Sequence, residues 1–148
     1  MPARKPILSA IEGVRLLSLE PYVSHKGSLG VLEENRNIPF PILRVFYIWG
    51  VPNGMQRGYH AHRRCEQFLI CLNGSCNVVC RDSKSHVEYQ LSRPDMGLYI
   101  PAGIWTEQTY EDDKTVLIVL ADQPYDEADY IRDYSAFVRC RNEMNKEE

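Results

Sequence analysis

Gln67-Phe68-Leu69-Ile70-Cys71-Leu72-Asn73-Gly74-Ser75-Cys76-Asn77-Val78-Val79-Cys80 holds two short apolar, β-prone runs around an Asn-Gly pair. Asn-Gly supplies the two positive-φ positions of a type I′ turn, so the chain is expected to fold directly back as a hairpin, the histidine-bearing strand upon the one that follows. Runs of the same kind recur at Leu29–Glu33, Ile42–Ile48, Val87–Leu91, Gly97–Ile100 and Val116–Ala121. Turn residues separate them: Pro52-Asn53-Gly54, Arg81-Asp82-Ser83, Arg93-Pro94-Asp95 and Pro101-Ala102-Gly103. Many short strands with such punctuation predict an all-β sandwich or barrel.

Immediately upstream lies Arg57-Gly58-Tyr59-His60-Ala61-His62-Arg63-Arg64-Cys65-Glu66. On an extended strand side chains repeat every two residues, so His60 and His62 face one side and Ala61 the other. Two imidazoles in one cavity can bind a metal or move protons near neutral pH.

The 148 residues, 44% hydrophobic and 25% charged, fit a single domain spanning 1–148. Its two ends, 1–10 and 142–148, are expected to be loosely ordered. After Ala121 the composition shifts to Asp and Tyr, and Ser135 is expected to cap a short terminal helix through Phe137 and Val138. A net charge of −3 argues against a nucleic-acid partner. No apolar run has the length of a membrane span or a signal peptide, which predicts a cytoplasmic protein. Cys65, Cys71, Cys76, Cys80 and Cys140 form an odd set with no C-x-x-C pair, and they read as reduced thiols packed as small hydrophobes.

Gly58, His60, His62, Glu66 or Gln67, and Gly74 resemble the first motif of the cupins, and Gly97, Pro101 and Gly103 resemble the second. Metal-binding cupins place a further histidine three residues after the last of these glycines, where this chain has Thr106. The ligand set is thereby one imidazole short, and no bound metal is expected.

A closer resemblance rests on five blocks in order: Glu33-Glu34-Asn35-Arg36-Asn37-Ile38-Pro39-Phe40, Arg44-Val45-Phe46-Tyr47-Ile48, Arg57 to His62, Cys71 to Ser75, and Tyr125 to Tyr134. Together they resemble the dTDP-sugar 3,4-ketoisomerases. The resemblance implies a cupin-type β-barrel or jelly roll that converts dTDP-4-keto-6-deoxyglucose into a 3-keto isomer without metal or cofactor, for amino sugars of surface polysaccharides or antibiotics. It also implies His60 and His62 as the catalytic pair, and a homodimer with exchanged N-terminal strands. An N-terminal segment that reads as a strand, Gly27 to Glu33, could cover an exposed sheet edge of a partner, which points the same way. Two positions depart from the family pattern: Lys26 stands where Arg is frequent, and Thr106 where His is frequent.

Moving a ketone from C4 to C3 requires removal of the C3 proton, a stabilised enediolate and return of a proton to C4. Either His60 or His62 suits the base, with the other imidazole or Tyr47 as the donor to oxygen. A sugar-linked pyrophosphate calls for Arg, and Arg57, Arg44 and Arg132 are the expected contacts. The thymine needs an aromatic or apolar wall, for which Tyr22, Trp49 and Trp105 are the candidates. Two alternatives stay open: a 3,5-epimerase-like dTDP-sugar cupin, and a non-catalytic cupin that binds a nucleotide sugar.

Overall fold

A computed structural model describes residues 11–146. In chain order the strands are β1 (Arg15–Ser18), β2 (Tyr22–Ser24), β3 (Gly27–Leu29), β4 (Arg44–Ile48), β5 (Gln56–His62), β6 (Gln67–Asn73), β7 (Cys76–Arg81), β8 (His86–Leu91), β9 (Met96–Ile100), β10 (Trp105–Tyr110), β11 (Val116–Ala121) and β12 (Tyr130–Ile131). A 3-10 turn (Glu127–Asp129) precedes β12, and helix α1 (Tyr134–Lys146) follows it. The fold is mostly β with one C-terminal helix. Two five-stranded antiparallel sheets, ordered β1-β9-β6-β11-β4 and β12-β5-β10-β7-β8, face each other, and β2–β3 stands apart as a hairpin.

Three apolar layers hold this arrangement. Between the sheets, Leu69, Cys71, Leu98, Leu117 and Val119 of the first pack on Cys76, Val78, Cys80, Leu91 and Tyr110 of the second. The outer face of the first sheet, with Phe68, Ile70 and Leu120, is covered by Leu19, Ile38 and Phe40. On the outer face of the second, Ala61, Trp105 and Ile131 meet Phe137 of α1. All five thiols are free, and burial pushes those of Cys76 and Cys80 up to about 12, so they serve as packing groups.

The runs around Asn73-Gly74 are strands, but they do not form a hairpin. β6 lies between β9 and β11, whereas β7 lies between β10 and β8 in the opposite sheet. Neither is the histidine-bearing β5 a neighbour of β6. β6 is apolar on both faces and contributes to two cores, so it takes a central place with a partner on each side. At the turn only Gly74 has positive φ, +75°, where a type I′ turn needs two such residues. The turn is tied sideways instead: Asn73 Nδ2 donates to Lys114 O (2.9 Å) and Ser75 N–H to Thr115 Oγ1 (3.1 Å). The local hairpin is β7–β8, whose turn Asp82 closes by accepting from the N–H groups of Lys84 (2.9 Å) and Ser85 (2.8 Å).

Other boundaries also move. The strand expected over Leu29–Glu33 is Gly27–Leu29, paired with β2 of the same chain. Helix α1 runs on to Lys146, and Asp133 caps it rather than Ser135, its carboxylate accepting the N–H of Ala136 (3.2 Å). Tyr134 and Phe137 both pack against Trp105, which sets the helix start ahead of Ser135. Residues 1–10 lie outside the described residues, as do the last two of the 142–148 end.

Candidate active site

The histidines owe their orientation to a bulge in β5. Across the β5–β10 pair, Thr106 opposes His60 and Glu107 opposes Gly58, which leaves Tyr59 as the extra residue. Gly58 and Tyr59 both have positive φ, +91° and +58°, and a Cβ at Gly58 would lie 3.1 Å from Thr106 O. Glycine is therefore required where the two backbones come this close. Past the bulge Ala61 faces outward under α1, and His60 and His62 face inward with ring centroids 5.0 Å apart, edge to face.

Local partners give the two rings different states. His60 Nδ1 lies 3.1 Å from Gly58 O; a carbonyl only accepts, so Nδ1 carries the proton and Nε2 keeps its lone pair. Nε2 has no protein partner among the described residues. Burial first, and then the neighbouring His62, push the His60 pKa down to about 4, so the ring is neutral near pH 7. His62 is buried, with Nδ1 3.0 Å from Asp129 Oδ2 and Nε2 3.2 Å from the Gln67 side-chain amide. Burial lowers its pKa too, against the opposing pull of Asp129.

Gln67 resolves the ambiguity at the carboxylate position of the first cupin motif. Its amide points inward to His62, whereas Glu66 points to the opposite face, where it accepts the Tyr99 hydroxyl. A neutral amide therefore replaces the metal-binding carboxylate, and buried Thr106 replaces the third imidazole. This donor set does not fit a cupin metal. His62, Cys65 and Asp129 do bring ligand atoms within 4.8 Å of one another. The Asp129 carboxylate already accepts from the N–H groups of Arg64 (2.7 Å) and Cys65 (3.3 Å) and from His62, so an ion there would displace structural hydrogen bonds.

Arg44 and Arg132 lie beside the pocket, close enough to weigh against protonation of His62. Arg44 shares the inward side of β4 with Phe46, its guanidinium 5.1 Å from the Phe46 ring and 5.8 Å from the Tyr125 ring, and its buried Nε lacks a partner among the described residues. Arg57 opposes Gln108 across β5–β10 and is exposed. Arg132 lies 4.3 Å over the Tyr130 ring and is bound by Glu127 at 2.8 and 3.1 Å. That arginine, followed by the Tyr125 hydroxyl, holds the Glu127 carboxyl down at about 2.

Two expected residues lie elsewhere. Tyr47 falls on the outward face of edge strand β4, 62% exposed and stacked on Trp49 at 5.6 Å, because the side chains flanking it, Phe46 and Ile48, turn inward to the core. Trp105 is 3% exposed beneath α1 and donates Nε1–H to Glu107 (3.0 Å), so it is a core residue and no thymine wall. Tyr22 belongs to the separate β2–β3 hairpin, and Trp49 is exposed beside Tyr47.

In place of Tyr47, the tyrosine beside the histidines is Tyr130, which opposes His62 in the β12–β5 pair. Its ring lies 4.4 Å from that of His62 and 5.0 Å from that of His60. Asp129 and Tyr130 are thus site residues that were not singled out from the sequence, whereas Gln67 was one of two options in the first cupin motif. The Tyr125–Tyr134 block carried the only available hint, as a motif without assigned roles.

Residues 12–142 match the family described as FdtA, WxcM-like, C-terminal. A TDP-4-oxo-6-deoxy-alpha-D-glucose-3,4-oxoisomerase of Aneurinibacillus thermoaerophilus is 41% identical over 133 residues, 90% of this chain and 96% of the relative. The WlaRB TDP-quinovose 3,4-ketoisomerase of Campylobacter jejuni is 41% identical with a TM-score of 0.84, covering 87% of this chain and 99% of its own. QdtA, a sugar 3,4-ketoisomerase of Thermoanaerobacterium thermosaccharolyticum solved with TDP, is 36% identical with a TM-score of 0.87, covering 90% of this chain and 98% of its own. A His-to-Asn mutant of QdtA has been solved with TDP-4-keto-6-deoxyglucose.

Proposed function

Because the chain belongs to the FdtA, WxcM-like, C-terminal family, we propose that its histidine pocket isomerises dTDP-4-keto-6-deoxyglucose to a dTDP-3-keto-6-deoxyhexose. The protein is a sugar 3,4-ketoisomerase, and the epimerase alternative is not favoured. The observation that carries the chemistry is the Nε2 of a half-buried, neutral His60, without a partner among the described residues.

In the forward step His60 Nε2 takes the C3 proton, the C3–H electron pair becomes the C3=C4 bond, and O4 accepts a proton. The second step reverses this at the neighbouring carbon: the C3 hydroxyl gives up its proton to become the carbonyl, and C4 receives one from the imidazolium. Burial keeps His60 neutral and so available to accept a proton, at the cost of basicity, and it makes the imidazolium short-lived, which suits a shuttle that must release its proton. The ring of Tyr130 lies beside both imidazoles, and its hydroxyl takes the oxygen-donor role in place of Tyr47. Arg44, Arg57 and Arg132 supply charge for the pyrophosphate; Arg132 would exchange its Glu127 partner for phosphate oxygens.

A homodimer suits the surface. Leu43, Val45, Tyr47 and Trp49 form an apolar stripe along edge strand β4, each at least half exposed, and the β2–β3 hairpin is exposed throughout. Exchange of hairpins between two copies would cover both. The setting proposed is cytoplasmic, supported by five free thiols and a nucleotide-sugar substrate. No helix of the described residues is long and apolar enough to cross a membrane.

Incubation with dTDP-4-keto-6-deoxyglucose in deuterated water, followed by NMR, tests the reaction. A 3-keto product is expected, with any solvent deuterium at C4. Label at C5 would instead identify an epimerase, and unchanged substrate a binding protein.

A further inference from the structure

We propose that Asp129 is a positioning residue for His62, holding its imidazole as the Nδ1–H tautomer so that Nε2 is the acceptor nitrogen beside His60. Its consequence for turnover rests on the ketoisomerase reading; the geometry does not. A carboxylate only accepts, so the 3.0 Å contact between Asp129 Oδ2 and His62 Nδ1 puts the proton on Nδ1. The Gln67 amide completes the pattern by donating to Nε2 at 3.2 Å.

Asp129 is held independently of the ring it orients. Oδ1 accepts the Arg64 N–H at 2.7 Å, and Oδ2 the Cys65 N–H at 3.3 Å, with the Arg64 Nε 3.9 Å away. The carboxyl is 5% exposed and stands in the 3-10 turn that Asp126 caps through the Ala128 N–H (3.0 Å). Burial opposes its ionisation, but the N–H donors of Arg64, His62 and Cys65 together hold its pKa below the usual range. Two backbone donors on either side therefore fix the acceptor first, and the imidazole must conform. With this clamp His62 can bond a hydroxyl or take a proton only at Nε2, after Gln67 yields, whereas His60 is open from the start.

An asparagine at this position cannot reproduce the pattern. Its one carbonyl oxygen cannot serve the Arg64 N–H on one side and both the Cys65 N–H and His62 on the other; kept on the shorter Arg64 contact, it leaves the amide NH2 facing His62 Nδ1 and favours the opposite tautomer. In an Asp–His pair a wrong tautomer costs up to ~10⁴-fold in turnover.

The test uses the full chain with ¹⁵N-labelled histidine. Long-range imidazole correlations of the wild-type protein are expected to show His62 protonated at Nδ1 and bare at Nε2. A wild-type Nε2–H tautomer overturns the proposal, and this spectrum decides even if variants fail to fold. In Asp129→Asn the tautomer is expected to switch and kcat to fall at least ~10²-fold, while the TDP dissociation constant stays within about threefold. Retention of Nδ1–H, or a switched tautomer with wild-type kcat, also overturns it. A wild-type protein with His62 as Nδ1–H but no isomerisation would instead refute the ketoisomerase reading and leave the tautomer assignment standing.

Discussion

His60 and His62 share a strand face, yet their partners give them unequal freedom. A backbone carbonyl holds one nitrogen of His60 and leaves the other open, while Asp129 and Gln67 occupy both nitrogens of His62. His60→Asn is accordingly expected to lower turnover by at least ~10²-fold with TDP binding retained, as steady-state kinetics and calorimetry would record. The depressed pKa of His60 sets a second expectation. Its base form persists down to about pH 4, so the acid limb of kcat/KM should fall well below the 6.5 of free imidazole; a limb at 6.5 would contradict a desolvated base. The same shift gives a sign for stability. The unfolded imidazole binds a proton before the folded one, so the contribution of His60 is complete above about 6.5 and is lost as pH falls towards 4. That the pair shares a cavity was readable from the two-residue period of a strand. Its tautomers were not, because they depend on residues brought from elsewhere in the chain.

At the scale of elements, β1, β2, β10 and β12 went unrecognised, and β10 is the one that borders the pocket. Trp-Thr-Glu-Gln-Thr-Tyr alternates, but Thr106 and Gln108 are buried and polar: Thr106 stands opposite His60, and Gln108 accepts the Tyr110 hydroxyl (2.8 Å). A strand that lines a polar pocket lacks the apolar alternation by which strands are recognised. β6 misled in the opposite sense: Asn-Gly suggested a local turn, but a run apolar on both faces could only be satisfied at the centre of a sheet. Packing between β9 and β6 allows no larger residue at Gly97, where a Cβ would lie 2.1 Å from Cε1 of the fully buried Phe68. Gly97→Ala is therefore expected to destabilise by about 1–3 kcal/mol or more, seen as a lower urea midpoint. An unchanged midpoint would mean that the Phe68 ring has room to turn.

For the whole molecule, the exposed hairpin and the apolar edge stripe are features that the described residues leave uncovered. Excision of Tyr22–Leu29 with a short linker in its place is expected to convert a twofold dimer into monomer or aggregate, measured by sedimentation. Removal of the first 33 residues would be a poorer test, because it also strips β1 from β9. Full-length protein that sediments as a monomer at micromolar concentration would refute the exchange. Exhaustive chelation is expected to leave turnover unchanged, since Gln67 and Thr106 stand where a cupin metal would need a carboxylate and an imidazole. Activity lost on stripping and regained with zinc, iron or nickel would overturn that expectation.

Local information was enough for the β class, most central strands, the shared orientation of His60 and His62, and, through the ordered blocks from Glu33 to Tyr134, the family. These follow from side-chain alternation and from residues adjacent in the chain. Tertiary structure alone decided that β6 and β7 belong to opposite sheets, that Tyr47 and Trp105 turn away from the pocket, and that Tyr130 and Asp129 enter it. The physical reason is that strand pairing and burial are settled between distant segments. Asp129 meets His62 across 67 residues of sequence, and only the pairing of β12 with β5 brings carboxylate and imidazole within a hydrogen bond.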